Sequence, residues 1–284
     1  EADSGGHTDK QAAITLLPIL LASRDRMQVK HGYAAPLRVG LGGGIATPAS
    51  AVAAVAMGAA YVMTGSVNQA CVESDTSDLV RRMLASAGQG DVCMAPSAGM
   101  FELGVQVQAL KRGTMFPMRA AKLYELYRGH DSWEAIPAAD RERLETTVFR
   151  RPFEEVWEET RAYFEARDVR QAARADREPK YKMALAFRWY LGQSSHWAQQ
   201  GEEARQEDFQ VWCGPAMGAF NAWTRGSFLE APERRNVVEV AMNILFGAAV
   251  LNRIGQLRTQ GVPLPSSVFR LTPLELARIE EYLA

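Results

Sequence analysis

Apolar residues recur at helical spacing from Lys10 to Met27, through Ala13, Ile14, Leu17, Leu20 and Leu21. The spacing predicts a helix, with Pro18 as its one irregularity, because proline cannot donate to the helical ladder. A loop through His31, Gly32 and Pro36 follows, and then the pattern changes. LRVGLGGGI reads as a short buried strand, Leu37 to Leu41, that runs into three glycines. Thr47 and Pro48 supply an N-cap and a first helical residue for the alanine-rich ASAVAAVAMG, which Gly58 closes. AAYVMTGS again reads as a strand, ending at Gly65-Ser66, and a polar stretch leads to a helix from Ser77 to Ala87. Strand, glycine turn and helix, twice over, is the repeating unit of parallel α/β folds.

After Gly90 the segments 101–127, 139–148, 152–167, 180–198 and 234–260 all predict helix, with charged residues opposite apolar stripes and no strand between them. The expected organisation is therefore an α/β portion over residues 1–90 and a mainly helical region over 91–284 packing on it.

Composition narrows the function classes. An apolar share of 47% in 284 residues supports a substantial core, and 32 Lys and Arg against 33 Asp and Glu offer no general attraction for nucleic acid or an anionic membrane. Cys71, Cys93 and Cys213 are odd in number, widely spaced and without a CxxC, so neither a disulfide framework nor a zinc site is indicated. With no run reaching the roughly 20 apolar residues that span a bilayer, the chain is expected to be soluble and cytoplasmic.

The chemistry concentrates in two glycine turns, GLGGGIATP at 40–48 and TGS at 64–66. Glycine lets backbone N–H groups approach an anion closely, and a helix starting at Thr47-Pro48 adds the positive end of its dipole. Phosphate binding and ordinary tight turns are both open readings. His7, after Gly5-Gly6, is a side chain suited to moving protons near neutral pH, or a plain loop residue. His31, His130 and His196 have no metal-ligand partner at useful spacing and read as structural. KRGTMFPMRA (111–120) combines cations with Met and Phe, and QVWCGPAMGAFNAW (210–223) sets glycines among aromatics; each could hold a ligand or simply pack.

SGGHTD, RVGLGGGIATPASA, GAAYVMTGSVNQACVE, MFELGVQVQALKRGTMFPMRAAKLYELY, MALAFRWYLG and WCGPAMGAFNAW together resemble the PfaD family, in order and along nearly the whole chain. These are trans-acting, flavin-dependent enoyl reductases of polyunsaturated fatty acid and polyketide synthases. The GGH, GGI and TGS pattern is more distantly similar to nitronate monooxygenases and FabK-type reductases, which share an FMN-binding TIM barrel. The resemblance implies FMN as cofactor, NADPH as hydride source and acyl carrier protein as partner. It implies His7 as the catalytic residue, donating a proton or stabilising an enolate, and Gly6, Gly42, Gly43, Gly44, Gly65, Ser66 and Gly214 as cofactor-binding. By the same resemblance these residues supply the last two barrel strands and the turn after the sixth, with Glu1 to Asp3 a strand stub. The N-terminal half of the barrel is then expected elsewhere, in the same or a separate chain. Two other functions stay open. One is a nitronate monooxygenase-like flavin oxidase. The other is a non-catalytic docking protein that binds acidic carrier protein through faces such as Lys111, Arg112, Arg119, Arg150 and Arg151.

Overall fold

In the computed structural model, which describes residues 2–284, helix α1 spans Ala13–His31 with Pro18 inside it and stops at Gly32, whose φ of 58° is left-handed. Glu1, assigned by sequence to the strand stub, lies outside the described residues. Strand β1 (Leu41–Gly42) pairs in parallel with β2 (Val62–Met63), with α2 (Pro48–Ala56) as the crossover between them. The strand expected over Leu37 to Leu41 is thus shorter and ends one residue later. α3 (Asp78–Ala85) starts at the Ser77 N-cap, whose side chain accepts from the Val80 N–H.

The unit break falls inside β3 (Val92–Pro96), which neighbours β4 (Gln106–Leu110). Both strands lie where no strand is predicted. Val107, Ala109 and Leu110 are fully buried, and their segment, GVQVQAL, carries the period-two alternation of a strand inside a stretch read as helix. Helices α4 (Phe116–Gly129), α5 (Ala138–Arg143), α6 (Phe153–Arg167), α7 (Val169–Ala175) and α8 (Pro179–Gln200) follow, with a π-helical segment, Leu144–Phe149, directly after α5. Trp133 stacks on Phe153 at 4.2 Å between ring centroids in a core that also buries Phe101, Phe116, Phe149 and Phe187. At its edge sits Asp208, with a side chain 0% exposed. It takes a hydrogen bond from the Tyr190 hydroxyl at 2.8 Å and ion pairs from Arg119, Arg205 and Arg150. Burial, with Asp208 adding, holds the Tyr190 phenol far above its ordinary range.

Helices α9 (Ala216–Thr224), α10 (Val237–Thr259) and α11 (Leu276–Leu283) come after α8 in the chain. The region expected as one piece over 91–284 is divided: Cys93–Val211 forms one unit, and Trp212–Ala284 joins Glu1–Val92 in the other. The reason is packing that periodicity does not reveal, since α10 lies along α2. Gly247 of α10 leaves room for Pro48, which an added Cβ would meet at 2.5 Å. α10 is also long and apolar enough to cross a membrane by length and composition, which corrects the expectation that no segment is. Its N-terminus is tied by Asn236, whose side chain accepts from Val238 N–H, and by Glu73, which accepts from Val237 N–H.

Candidate functional site

The two glycine turns at the ends of β1 and β2 open on a cavity of about 450 Å³, within the range of small-molecule and cofactor sites. Gly42, Gly43, Gly44, Gly65, Ser66 and Gly214 all line it, so six of the eight residues singled out by resemblance come together. Gly43 and Gly44 take φ of 87° and 75°, values that L side chains avoid. A Cβ at Gly44 or Gly65 would meet nothing within 4 Å, and their N–H groups donate to no other backbone group among the described residues. They form a cradle with unspent donors. The start of α2 is different. Ser50 Oγ accepts from both Ala46 and Thr47 N–H at 3.0 Å, so the helix end expected to face an anion is already capped from within.

Gly214 is fixed by close approach. Its N–H donates to Ser66 Oγ at 2.9 Å, and a Cβ on it would sit 2.8 Å from Gly5 N. Gly5 in turn would press a Cβ against Cys213 backbone at 2.8 Å. Segments 4–7 and 212–214 are therefore laid backbone to backbone, which glycine alone permits on both sides. Accepting from Gly214 leaves the Ser66 hydroxyl proton outside that bond, with the Cys213 side chain as a neighbour.

Gly6 and His7 are not in the cavity lining; Ser4 and Gly5 are. Gly6 is buried with φ 78°, and a Cβ there would strike the Trp212 ring at 2.7 Å. His7 is exposed and packs edge-on to Trp212, 5.3 Å between ring centroids. Trp212 itself lines the cavity, so the imidazole stands behind the indole at its margin. Within the 210–223 segment the large apolar side chains divide. Trp212 faces the cavity, Met217 and Phe220 are fully buried, and Trp223 donates its indole N–H to Leu271 O at 2.8 Å.

Tyr61, Thr64 and Gln69 also line the cavity, and sequence reasoning does not single them out. A signal exists for Tyr61: it stands just before β2, two residues from Met63, and Gly40 leaves space that a Cβ would fill at 2.2 Å from its ring. Among the described residues no lining residue is charged, so an anion would be held by backbone N–H and hydroxyl groups.

Burial pushes the Cys213 thiol up to about 12 against a partial offset from the Ser66 hydroxyl, and the Cys71 thiol up to about 11, with the Glu73 charge adding. Each raised value leaves the protonated thiol dominant well above neutral pH, so neither is a nucleophile there. Iodoacetamide at neutral pH is expected to modify neither residue in the folded protein. Peptide mass spectrometry checks this, and labelling of Cys213 under native conditions would contradict it.

Residues 130–209 match the family described as acyl-carrier-protein S-malonyltransferase, inserted helical domain. The chain is 49% identical over 265 residues to a polyunsaturated fatty acid synthase component of Thraustochytrium sp., covering 91% of this chain and 18% of that protein. It is 44% identical over 251 residues to polyketide biosynthesis protein PksE of Bacillus subtilis, covering 88% of this chain and 32% of that one. The crystal structure of the enoyl reductase domain of MlnA, from the macrolactin biosynthesis cluster of Bacillus amyloliquefaciens, superposes with a TM-score of 0.85 at 40% identity. That match covers 91% of this chain and 57% of the other. The chain thus spans between about a fifth and just over half the length of these relatives, which are components of fatty acid and polyketide synthesis.

Proposed function

We propose that the chain is part of an enoyl reductase acting on α,β-unsaturated acyl thioesters carried by acyl carrier protein, in polyunsaturated fatty acid or polyketide synthesis. In this reading FMN occupies the cavity, NADPH is the hydride source, and β1 and β2 are the last two strands of a TIM barrel. One observation carries it: the turns after two adjacent parallel strands meet Gly214 around one cavity whose described lining holds unspent N–H donors. The likeness to the MlnA enoyl reductase domain supports the same reading.

The residues present fit the phosphate end of FMN, because Gly44 and Gly65 leave open the space that a side chain would fill. The chemistry supplied by bound FMN is relay of hydride from NADPH to the β-carbon of the enoyl thioester. Everything else falls to the chain. Gly44 and Gly65 N–H and the Ser66 hydroxyl bind the anion, Gly214 locks Ser66 in place, and Trp212 walls off water on one side. As hydride reaches the β-carbon, the α-carbon must gain a proton. His7, outside the lining but against Trp212 at its margin, is our candidate to give it by way of a water, or to stabilise the thioester oxygen as negative charge develops.

An absorbance spectrum of the full-length protein tests the reading: flavin bands that bleach with NADPH and return on adding crotonyl-loaded carrier protein are expected. A colourless protein would count against it. In the same protein His7→Gln is expected to lower kcat by about a hundredfold with flavin content unchanged. Full turnover in that variant would remove His7 from the mechanism.

A further inference from the structure

The helical unit carries a groove of about 430 Å³ that the proposed chemistry does not use. Helix α4 and the residue before it contribute Met115, Met118 and Lys122 to one side; α5 and the π-helical segment contribute Arg143, Leu144 and Val148 to the other. Leu144 and Val148 are buried, whereas Met118 is 59% exposed and Met115 40%. Flexible, polarizable methionines suit a surface that repacks around the apolar face of an incoming helix.

The charge lining this groove is weighted towards cations. Lys122 and Arg143 face a single carboxylate, Asp140, while Arg119, which also lines it, is spent on Asp208 and Glu207. Two other cations that the sequence offers for partner contact are spent within the unit, Arg150 on Glu207 and Asp208, Arg151 on Glu159. Lys122 reaches only the exposed Glu125 of its own helix, at 3.0 Å, and so remains available at the rim.

The wall of the groove is also unusual in its backbone. The π-helical segment ends at Arg150, whose φ of 59° is left-handed and disfavoured for any residue with a Cβ. Arg205 holds this end by donating to Val148 O at 2.9 Å and Phe149 O at 2.6 Å. Single π turns and strained residues of this kind concentrate at functional sites.

We propose that this groove receives an acidic amphipathic helix of the acyl carrier protein, with Met115 and Met118 taking its apolar residues and Lys122 and Arg143 its carboxylates. The inference rests on the reading of the chain as part of a carrier-linked reductase. The test uses the full-length protein and its Lys122→Glu/Arg143→Glu and Met118→Asp variants. Each is titrated by calorimetry with a crotonyl-loaded acyl carrier protein from a polyunsaturated fatty acid synthase, and assayed in parallel with crotonyl-pantetheine. Both variants are expected to bind the carrier at least about tenfold more weakly, equivalent to about 1.4 kcal/mol, while reducing the free thioester as the parent does. Unchanged carrier affinity in both variants, or no binding by the parent, overturns the proposal. So does a change of oligomeric state by light scattering without loss of carrier affinity, which would make the groove a contact between copies of this chain. A parent that fails to reduce crotonyl-pantetheine counts against the reductase reading, and the calorimetry still decides the groove.

Discussion

Gly65→Val is expected to give a full-length protein that folds as the parent does and carries no flavin. The two halves of that result have separate causes. Gly65 has φ −112° and ψ −77°, without the positive φ that would exclude a side chain, and an added Cβ meets no atom within 4 Å. The fold therefore has little reason to object, and a stability change within about 1 kcal/mol is expected. The space the valine enters is the cavity, beside an N–H that has no other backbone acceptor. A phosphate would lose both its room and a donor. The measurement is flavin content by the visible absorbance band, set against the melting midpoint. A yellow, stable Gly65→Val protein would place the phosphate elsewhere. Gly214→Ala is the contrasting control: its Cβ would sit 2.8 Å from Gly5 N, so it is expected to lose stability and cofactor together.

The second large effect lies in the helical unit. Asp208→Asn is expected to cost about 3 to 5 kcal/mol, because it removes the negative partner of a buried cluster and leaves its arginines uncompensated. The Asp208 side chain is 0% exposed, and Arg119 and Arg205 beside it are 13% and 15% exposed. Glu207 bonds two arginines of the same cluster but is 51% exposed, so Glu207→Gln should cost no more than about 1 kcal/mol. Urea unfolding of the intact protein, followed by tryptophan fluorescence, compares the two. Trp197 reports locally, since Arg205 lies over its ring at 4.2 Å. Equal losses for the two variants would mean that burial is not what gives the cluster its weight.

What can be read in the sequence is what short-range chemistry decides. The start of α2 is legible because Thr47, Pro48 and Ser50 make a self-contained cap, and α6 and α8 fall within two residues of their expected bounds. The gathering of Gly43, Gly44, Gly65 and Ser66 is legible for the same reason, since each turn directly follows its strand. β4 is not, because a helical stripe and a buried strand share the residues of GVQVQAL, and the final choice depends on what lies beside them. Adjacency to two glycines suggests His7 for the site, but the left-handed backbone at Gly6, with φ of 78°, carries it to the margin. Ser4 and Gly5 face the cavity and His7 lies against Trp212, a residue more than two hundred positions away that no local pattern connects to it. The return of Trp212–Ala284 to the first unit is long-range in the same sense.

That return also sets an order of events on the ribosome. Cys93–Val211 is one uninterrupted stretch and can complete its core as soon as it has emerged. The cavity cannot be completed then, because Gly214, which ties Ser66, and α10, which packs on α2, are made only afterwards. The helical unit can thus be finished while the nascent glycine turns still lack part of their wall, which is supplied only after synthesis has passed the helical unit. Chain order alone therefore places completion of the cavity after synthesis of the groove-bearing unit.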